Sequence, residues 1–283
     1  MPEGVFNGKV AVVTGAGGTL CSAVAIELAR LGAQVALLGR TPEKLERVAA
    51  VIRDAGGTAV ASSLDVTDAA AVAAARQHIG RQLGPCALLV NGAGGNRPDA
   101  VTTVTEFQPA ELAPHRPDGM RGFFDLDPAS MLKVIEVNTL GTLIPCQVFG
   151  REMAEKGQGA IVNFASMNSY RPLSRNLAYA VAKAGVVNLT HWLAAYLAPA
   201  GIRVNAVAPG FFINERSRKI LTTEDGGLTP RGQNVMAHTP MKRFGEAGDL
   251  LGAVCWLLDD ERSAFVTGIT VPVDGGFLAS SGV

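Results

Sequence analysis

The stretch S-M-N-S-Y-R-P-L-S-R-N-L-A-Y-A-V-A-K, residues 166–183, holds three side chains that could move a proton. Tyr179 and Lys183 are four apart, so on a helix they share one face. A free phenol, with a pKa of about 10, is too weak an acid to suit neutral pH. An ammonium beside it favours phenolate and lowers that pKa. Such a tyrosine could give a proton to a carbonyl oxygen or take one from an alcohol. Ser166, thirteen residues earlier at the end of an apolar run, could donate a hydrogen bond to the same oxygen as charge develops there. By itself, a Tyr-x-x-x-Lys pair is usually a solvated helix face. The elements around it decide whether the three groups meet.

A second stretch, T-G-A-G-G-T-L-C at 14–21, has the makings of a phosphate-binding turn with glycines missing. The pattern G-x-G-x-x-G needs glycine at 15, 17 and 20, and Leu20 breaks it. The pattern T-G-x-x-x-G-x-G needs glycine at 15, 19 and 21, where Thr19 and Cys21 stand. Gly15, Gly17 and Gly18 still let the backbone approach a pyrophosphate at a helix N-terminus. Thr19 can add a hydroxyl donor, and Cys21 is small enough for close helix–strand packing. Taken alone, this could equally be an ordinary strand–helix turn.

Short apolar runs at 9–14, 34–38, 59–64, 87–91, 160–165, 203–208 and 270–273 read as buried strands. Helical patterns fill the intervals at 20–31, 42–55, 68–83, 130–155, 178–197 and 247–258. Apolar strands without alternation fit a parallel sheet covered on both faces. The alternation continues to the end, so the expectation is α/β: one doubly wound Rossmann-type domain over 1–283, with about seven parallel strands. The turn at 14–21 then sits in the strand–turn–helix–strand order that a dinucleotide site requires. Two long connections, 95–127 and 211–243, leave carboxyl ends of strands, where such sheets bind ligands, and are candidate substrate walls.

The chain has 283 residues, 48% hydrophobic, with 25 basic and 25 acidic side chains. That balance offers no field for nucleic acid. Cysteines 21, 86, 146 and 255 have no metal-ligand spacing, so no metal is expected and a reduced chain is the simplest reading. Neither a secretory signal nor a membrane-spanning run is evident, which predicts a cytoplasmic protein. His78 and His191 read as ordinary helix residues, Cys86, Cys146 and Cys255 as small core hydrophobes, and Trp192 and Trp256 as core or interface residues. His115 and His238, in the long connections, are left open.

With N-G-A-G-G at 91–95 and A-P-G at 208–210 also at strand ends, the chain resembles the short-chain dehydrogenase/reductase family over essentially its full length. The resemblance implies a catalytic set of Ser166, Tyr179 and Lys183. Asn138, in E-V-N-T-L-G-T, matches the helix asparagine that holds a water in a proton relay. It also implies a nicotinamide cofactor, which carries the hydride. The cofactor contacts it implies are Gly15, Gly17, Gly18, Thr19 and Leu20 at the phosphates and Asp65 with Val66 at adenine. Asn91, Gly92 and Ala93 match the family's N-N-A-G stretch, with Gly92 in place of the second asparagine. Pro209, Gly210 and Phe212 lie beside the nicotinamide, and Lys183 would hold its ribose. Asn214 stands where threonine is common. At the end of the second strand Gly39 and Arg40 replace the carboxylate of an NAD enzyme. NADP(H) is therefore expected to be preferred, with NAD(H) possible.

Several segments, among them G-F-F-D-L-D, A-S-M-N-S-Y-R-P-L and A-H-T-P-M-K-R-F-G-E, resemble one subgroup of that family, the D-mannonate oxidoreductases, also called D-fructuronate reductases. That resemblance implies a sugar-acid substrate, for which Asn96, Asn168 and Arg216 are candidate contacts, with Arg97 and Arg218 nearby. Reductases of other sugars, polyols or 3-oxoacyl groups are alternatives, and a non-catalytic nucleotide-binding scaffold is the alternative of another class. The family resemblance further implies a homo-oligomer, dimer or tetramer, pairing the helices after the fourth and fifth strands.

Overall fold

The computed structural model of the protein describes residues 4–280, apart from the side chains of residues 215 and 216. The first half runs β1 (Val10–Thr14), α1 (Thr19–Arg30), β2 (Gln34–Gly39), α2 (Pro42–Asp54), β3 (Ala59–Ser63), α3 (Ala69–Gln82) and β4 (Cys86–Asn91). The second half runs α4 (Pro128–Ile135), α5 (Gly141–Lys156), β5 (Gly159–Phe164), α6 (Leu177–Leu197), β6 (Ile202–Pro209), α7 (Glu215–Leu221), α8 (Pro230–His238), α9 (Ala247–Leu258) and β7 (Thr270–Val273). The seven strands form one sheet in the order β3-β2-β1-β4-β5-β6-β7, every pair parallel. Strand order reverses between β1 and β4, and a crevice opens there at the strands' carboxyl ends. The single Rossmann-type sheet read from the sequence is the one observed.

Alternate residues of each strand serve two cores. Ala11, Val13, Val35, Leu37, Leu88 and Val90 face the layer of α1, α2 and α9. Val10, Val12, Ala36, Leu38, Leu89 and Ile161 face the opposite layer, where Phe149 and Met153 of α5 and Leu193 of α6 pack. Both faces are apolar, so the strands show no polar alternation. Helix boundaries follow local chemistry. Asp68 caps α3 by accepting from the Ala70 and Ala71 N–H groups at 2.9 and 3.0 Å. α2 opens on Pro42 and buries the stripe Leu45, Val48, Ala49 and Ile52 against the sheet.

Two departures from the sequence reading bear on the site. The helix expected over 130–155 is broken by a π-helical turn, Glu136–Leu140, which carries Asn138. The 211–243 connection is not structureless, since it holds α7 and α8. Its Pro230 opens α8 rather than breaking a helix: Thr229 caps it, accepting from Gly232 N–H at 3.1 Å. The 95–127 connection contains only single 3₁₀ turns. No helix among the described residues is long and apolar enough to cross a membrane.

Candidate active site

Ser166 leaves β5 and caps a one-turn helix, Met167–Ser169, its hydroxyl accepting from Asn168 N–H at 3.2 Å. Ser169 Oγ then donates to the Lys183 carbonyl at 2.8 Å, tying that turn to α6. Tyr179 stands in the first turn of α6 and Lys183 one turn later. Lys183 Nζ donates to the carbonyl of Phe164, the last residue of β5, at 2.6 Å. The three side chains therefore share the wall of one crevice, with Ser166 and Lys183 buried.

Burial pushes the Tyr179 phenol above its ordinary 10.0, and a hydrogen bond with Ser166 pulls it back. Burial lowers Lys183 to about 8. The expectation that Lys183 lowers the tyrosine is not met here. Its ammonium lies 5.8 Å from the ring centroid and is committed to the Phe164 carbonyl, so desolvation of the phenolate prevails. Held above 10.0, the Tyr179 phenol keeps its proton at neutral pH.

Asn138 is fully buried. Its amide donates to the Gly95 and Val134 carbonyls at 2.7 and 2.8 Å, and its Oδ1 accepts from Gly95 N–H at 3.1 Å. The π-turn thus aims Asn138 at the loop after β4, locking it beside the catalytic wall. A Cβ on Gly94 would come within 2.4 Å of Asn138 Oδ1 and 3.5 Å of Lys183 Nζ, so that loop passes without a side chain.

The crevice, of about 960 Å³, runs from the catalytic wall across Gly15, Gly17, Gly18, Thr19 and Leu20, with Pro209, Gly210, Phe212 and Asn214 along its far side. Gly15 has φ +68°, and a Cβ there would stand 2.8 Å from the Gly92–Ala93 peptide. The α1 N-terminus has no side-chain cap and no acidic residue in its first turn. Its free N–H groups and dipole suit a diphosphate. Beyond the turn, a second hollow is lined by Arg40, Lys44, Asp65, Val66 and Ala93. The Asp65 carboxyl is held below its usual range by Thr67, whose N–H and hydroxyl donate to it at 2.9 and 2.7 Å. A glycine-floored groove ending in two cations fits a dinucleotide.

Other candidates sit differently from the sequence reading. The Asn91 side chain points into the core, donating to Asn163 Oδ1 at 2.9 Å and Cys146 Sγ at 3.1 Å. It offers the crevice no side-chain contact, which comes instead from Gly92 and Ala93. Asn96 donates to Asn176 Oδ1 at 2.8 Å, and Asn168 Oδ1 accepts from Leu173 N–H at 2.8 Å. Both brace the loop before α6, so their amides are partly spent on the protein. Arg97 pairs with Asp99 at 2.8 Å in a half-exposed ion pair. Arg216 lies on α7, and its side chain is outside the described residues. Trp192 is half-exposed and stacks on Tyr196.

Sequence reasoning missed Thr14, whose hydroxyl accepts from the Gly92 and Ala93 N–H groups at 3.1 and 3.2 Å. It also missed Lys44 and Arg47, which line the crevice from α2. Their three-residue spacing just past Arg40 was the available signal.

The family model for the short-chain dehydrogenases matches residues 9–225. An uncharacterized oxidoreductase, UxuB, of Bacillus subtilis is 48% identical over 276 residues, covering 98% of this chain and 97% of that one. A crystal structure from Haemophilus influenzae, of a protein proposed to be a D-mannonate oxidoreductase and holding NAD, superposes with a TM-score of 0.92. It is 42% identical and covers 98% of this chain and 97% of its own. A gluconate 5-dehydrogenase from Burkholderia cenocepacia, solved with NADP and tartrate, is 29% identical at a TM-score of 0.80. The match covers 97% and 96% of the two chains.

Proposed function

We propose that this protein, which belongs to the short-chain dehydrogenase family, interconverts a ketone and a secondary alcohol on a sugar acid, D-fructuronate and D-mannonate. The family makes it an NAD(P)-dependent oxidoreductase acting on a CH-OH group. The observation that carries the reading is the Ser166–Tyr179–Lys183 wall in a crevice floored by glycines, in a protein 42% identical to the Haemophilus one over nearly its whole length.

The nicotinamide supplies the hydride when bound. In reduction, Tyr179, neutral at physiological pH, gives its proton to the carbonyl oxygen, and Ser166 donates a hydrogen bond as charge develops on that oxygen. Lys183, fixed by the Phe164 carbonyl, holds the ribose. Asn138 fixes the Gly95 loop beside the groove, its amide bonded to the Gly95 and Val134 carbonyls. Gly15, Gly17, Gly18, Thr19 and Leu20 hold the diphosphate, and Asp65 with Val66 the adenine.

The substrate is bounded by the 95–127 and 211–243 segments. Arg216, on α7 just past the crevice residue Asn214, is the proposed clamp for the substrate carboxylate, which an arginine grips through two parallel hydrogen bonds. Arg40 and Lys44, with no carboxylate at the end of β2, support a preference for NADP(H), with NAD(H) accepted. Arg40→Ala should raise KM for NADPH far more than for NADH, and equal or better use of NADH by the wild type would refute the preference. Val181, Trp192 and Tyr196 expose one apolar stripe of α6, with Leu132 exposed on α4, which supports a homo-oligomer built on that face.

The test is a panel of fructuronate, neutral ketoses and 3-oxoacyl esters with both cofactors. Fructuronate should be reduced with the highest kcat/KM. Comparable turnover of charged and neutral ketoses would remove the carboxylate clamp and the sugar-acid reading with it.

A further inference from the structure

We propose that Cys21 and Gly92 form one steric unit, a positioning pair in which the thiol imposes glycine at 92 and sets the β4 loop against the phosphate turn. Both positions depart from the patterns found in the sequence. Cys21 stands where T-G-x-x-x-G-x-G has its last glycine, and Gly92 stands where N-N-A-G has its second asparagine. The structure links the two departures. A Cβ built on Gly92 would lie 2.0 Å from Cys21 Sγ, 3.6 Å from Cys21 Cβ and 3.3 Å from the Thr14 carbonyl oxygen.

Backbone conformation does not explain the glycine. Gly92 is absent from the residues of positive φ, so an L side chain could adopt its geometry. Only space forbids one, and the thiol occupies that space. Cys21 lies on α1 and is 4% exposed, so a thiol pushed aside meets packed neighbours. Thr14 closes the other side, drawing the Gly92 and Ala93 N–H groups onto its hydroxyl. Gly15 completes the contact, since its own missing Cβ would strike the Gly92–Ala93 peptide. The end of β1, the first turn of α1 and the loop after β4 thus meet at one point beneath the diphosphate groove. An added atom at 92 must part them and move the N–H groups that the groove presents.

The inference rests on the cofactor groove and not on the sugar-acid reading, so it is tested without substrate. Three variants are compared: Gly92→Ala, Cys21→Ala and the double substitution. The readouts are the melting temperature of the cofactor-free protein and the Kd for NADPH and NADH from nicotinamide fluorescence. Gly92→Ala alone should lower the melting temperature and raise Kd at least about tenfold, as overpacking does. Cys21→Ala alone removes the thiol and leaves Gly92 in place, so it is the reference for the double variant. The double variant should return to within about threefold of Cys21→Ala, a coupling that independent sites do not show. Should Gly92→Ala fail to fold, a double variant that folds and binds is the same rescue. A silent Gly92→Ala, effects that simply multiply, or a double variant that also fails to fold would overturn the proposal.

Discussion

The phosphate turn and the catalytic wall line one crevice and are built on opposite principles. The turn, residues 14–21 with the 92–95 loop, is defined by what is missing. Gly15, Gly92 and Gly94 each lack a Cβ that would collide with a backbone or side-chain atom. The wall, residues 164–183, is defined by what is buried. Ser166, Asn168 and Lys183 are polar groups sunk in an apolar shell, each bound to a named partner. Exclusion of atoms shapes a surface to fit a ligand's backbone and is indifferent to charge. Buried polar groups carry desolvation energy, and with it altered acidity. The first kind of region binds, and the second can react.

The largest expected effect breaks the wall without touching the turn. Tyr179→Phe keeps the ring and its packing but removes the proton donor. General acid–base groups contribute about 10²–10⁴-fold, so kcat should fall by that order. Cofactor Kd, set by the turn, should stay near that of the wild type. Stopped-flow reduction kinetics together with fluorescence titration measure both. Retention of most activity would mean that another group delivers the proton.

A smaller effect separates the wall from its foundation. Beneath it a series of polar groups crosses the sheet: Asn91 donates to Asn163, and Asn163 donates to Thr190 of α6 at 3.0 Å. All three residues are buried. Asn163→Ala leaves buried donors and acceptors unmatched, which costs about 1–3 kcal/mol. Urea denaturation should show that loss, while turnover by the folded enzyme stays far closer to wild type than in Tyr179→Phe. A variant as stable as wild type would show that this series of amides is not a foundation.

The same contrast explains what the sequence made legible. The wall was readable because its chemistry is written in residue types at helical spacing, Tyr179 to Lys183, after a strand-end serine. The sheet was readable because strands buried on both faces leave unbroken apolar runs. The turn was only half readable. Gly17 and Gly18 announce a close approach, but the reason for Gly92 is a thiol 71 positions away in sequence, and no local pattern encodes that contact. Asn91 was misread for a related cause. It sits in the right motif, yet its side chain faces the Asn163 and Cys146 side of β4, and the strand's facing is fixed by its neighbours in the sheet. The α8 helix was hidden inside the long 211–243 connection, where Pro230 opens it and Gly232 lets it pack on the Leu221 carbonyl.

The two regions should also separate through pH, because each buries a titratable group and the two respond with opposite sign. Burial lowers Lys183 from 10.5 to about 8. A buried amine with a depressed pKa makes the folded protein disfavour the ammonium. Below pH 8 both folded and unfolded chains carry the proton, and the folded state bears the full cost. Between pH 8 and 10.5 the folded protein has released the proton and the unfolded one has not, so stability contributed by this group rises with pH. Lys183→Met has no such proton to release. The stability of wild type relative to Lys183→Met should therefore increase as pH goes from about 7 to about 10, measured by thermal or urea unfolding without cofactor. The turn responds with the opposite sign. Burial pushes the Cys21 thiol from 9.0 up to about 12, so above about pH 9 the unfolded chain releases this proton first and the stability contributed by the group falls as pH rises. The stability of wild type relative to Cys21→Ala should therefore decrease as pH approaches about 10. A flat Lys183→Met difference would mean that the ammonium is solvated rather than buried. A flat Cys21→Ala difference would mean the same of the thiol.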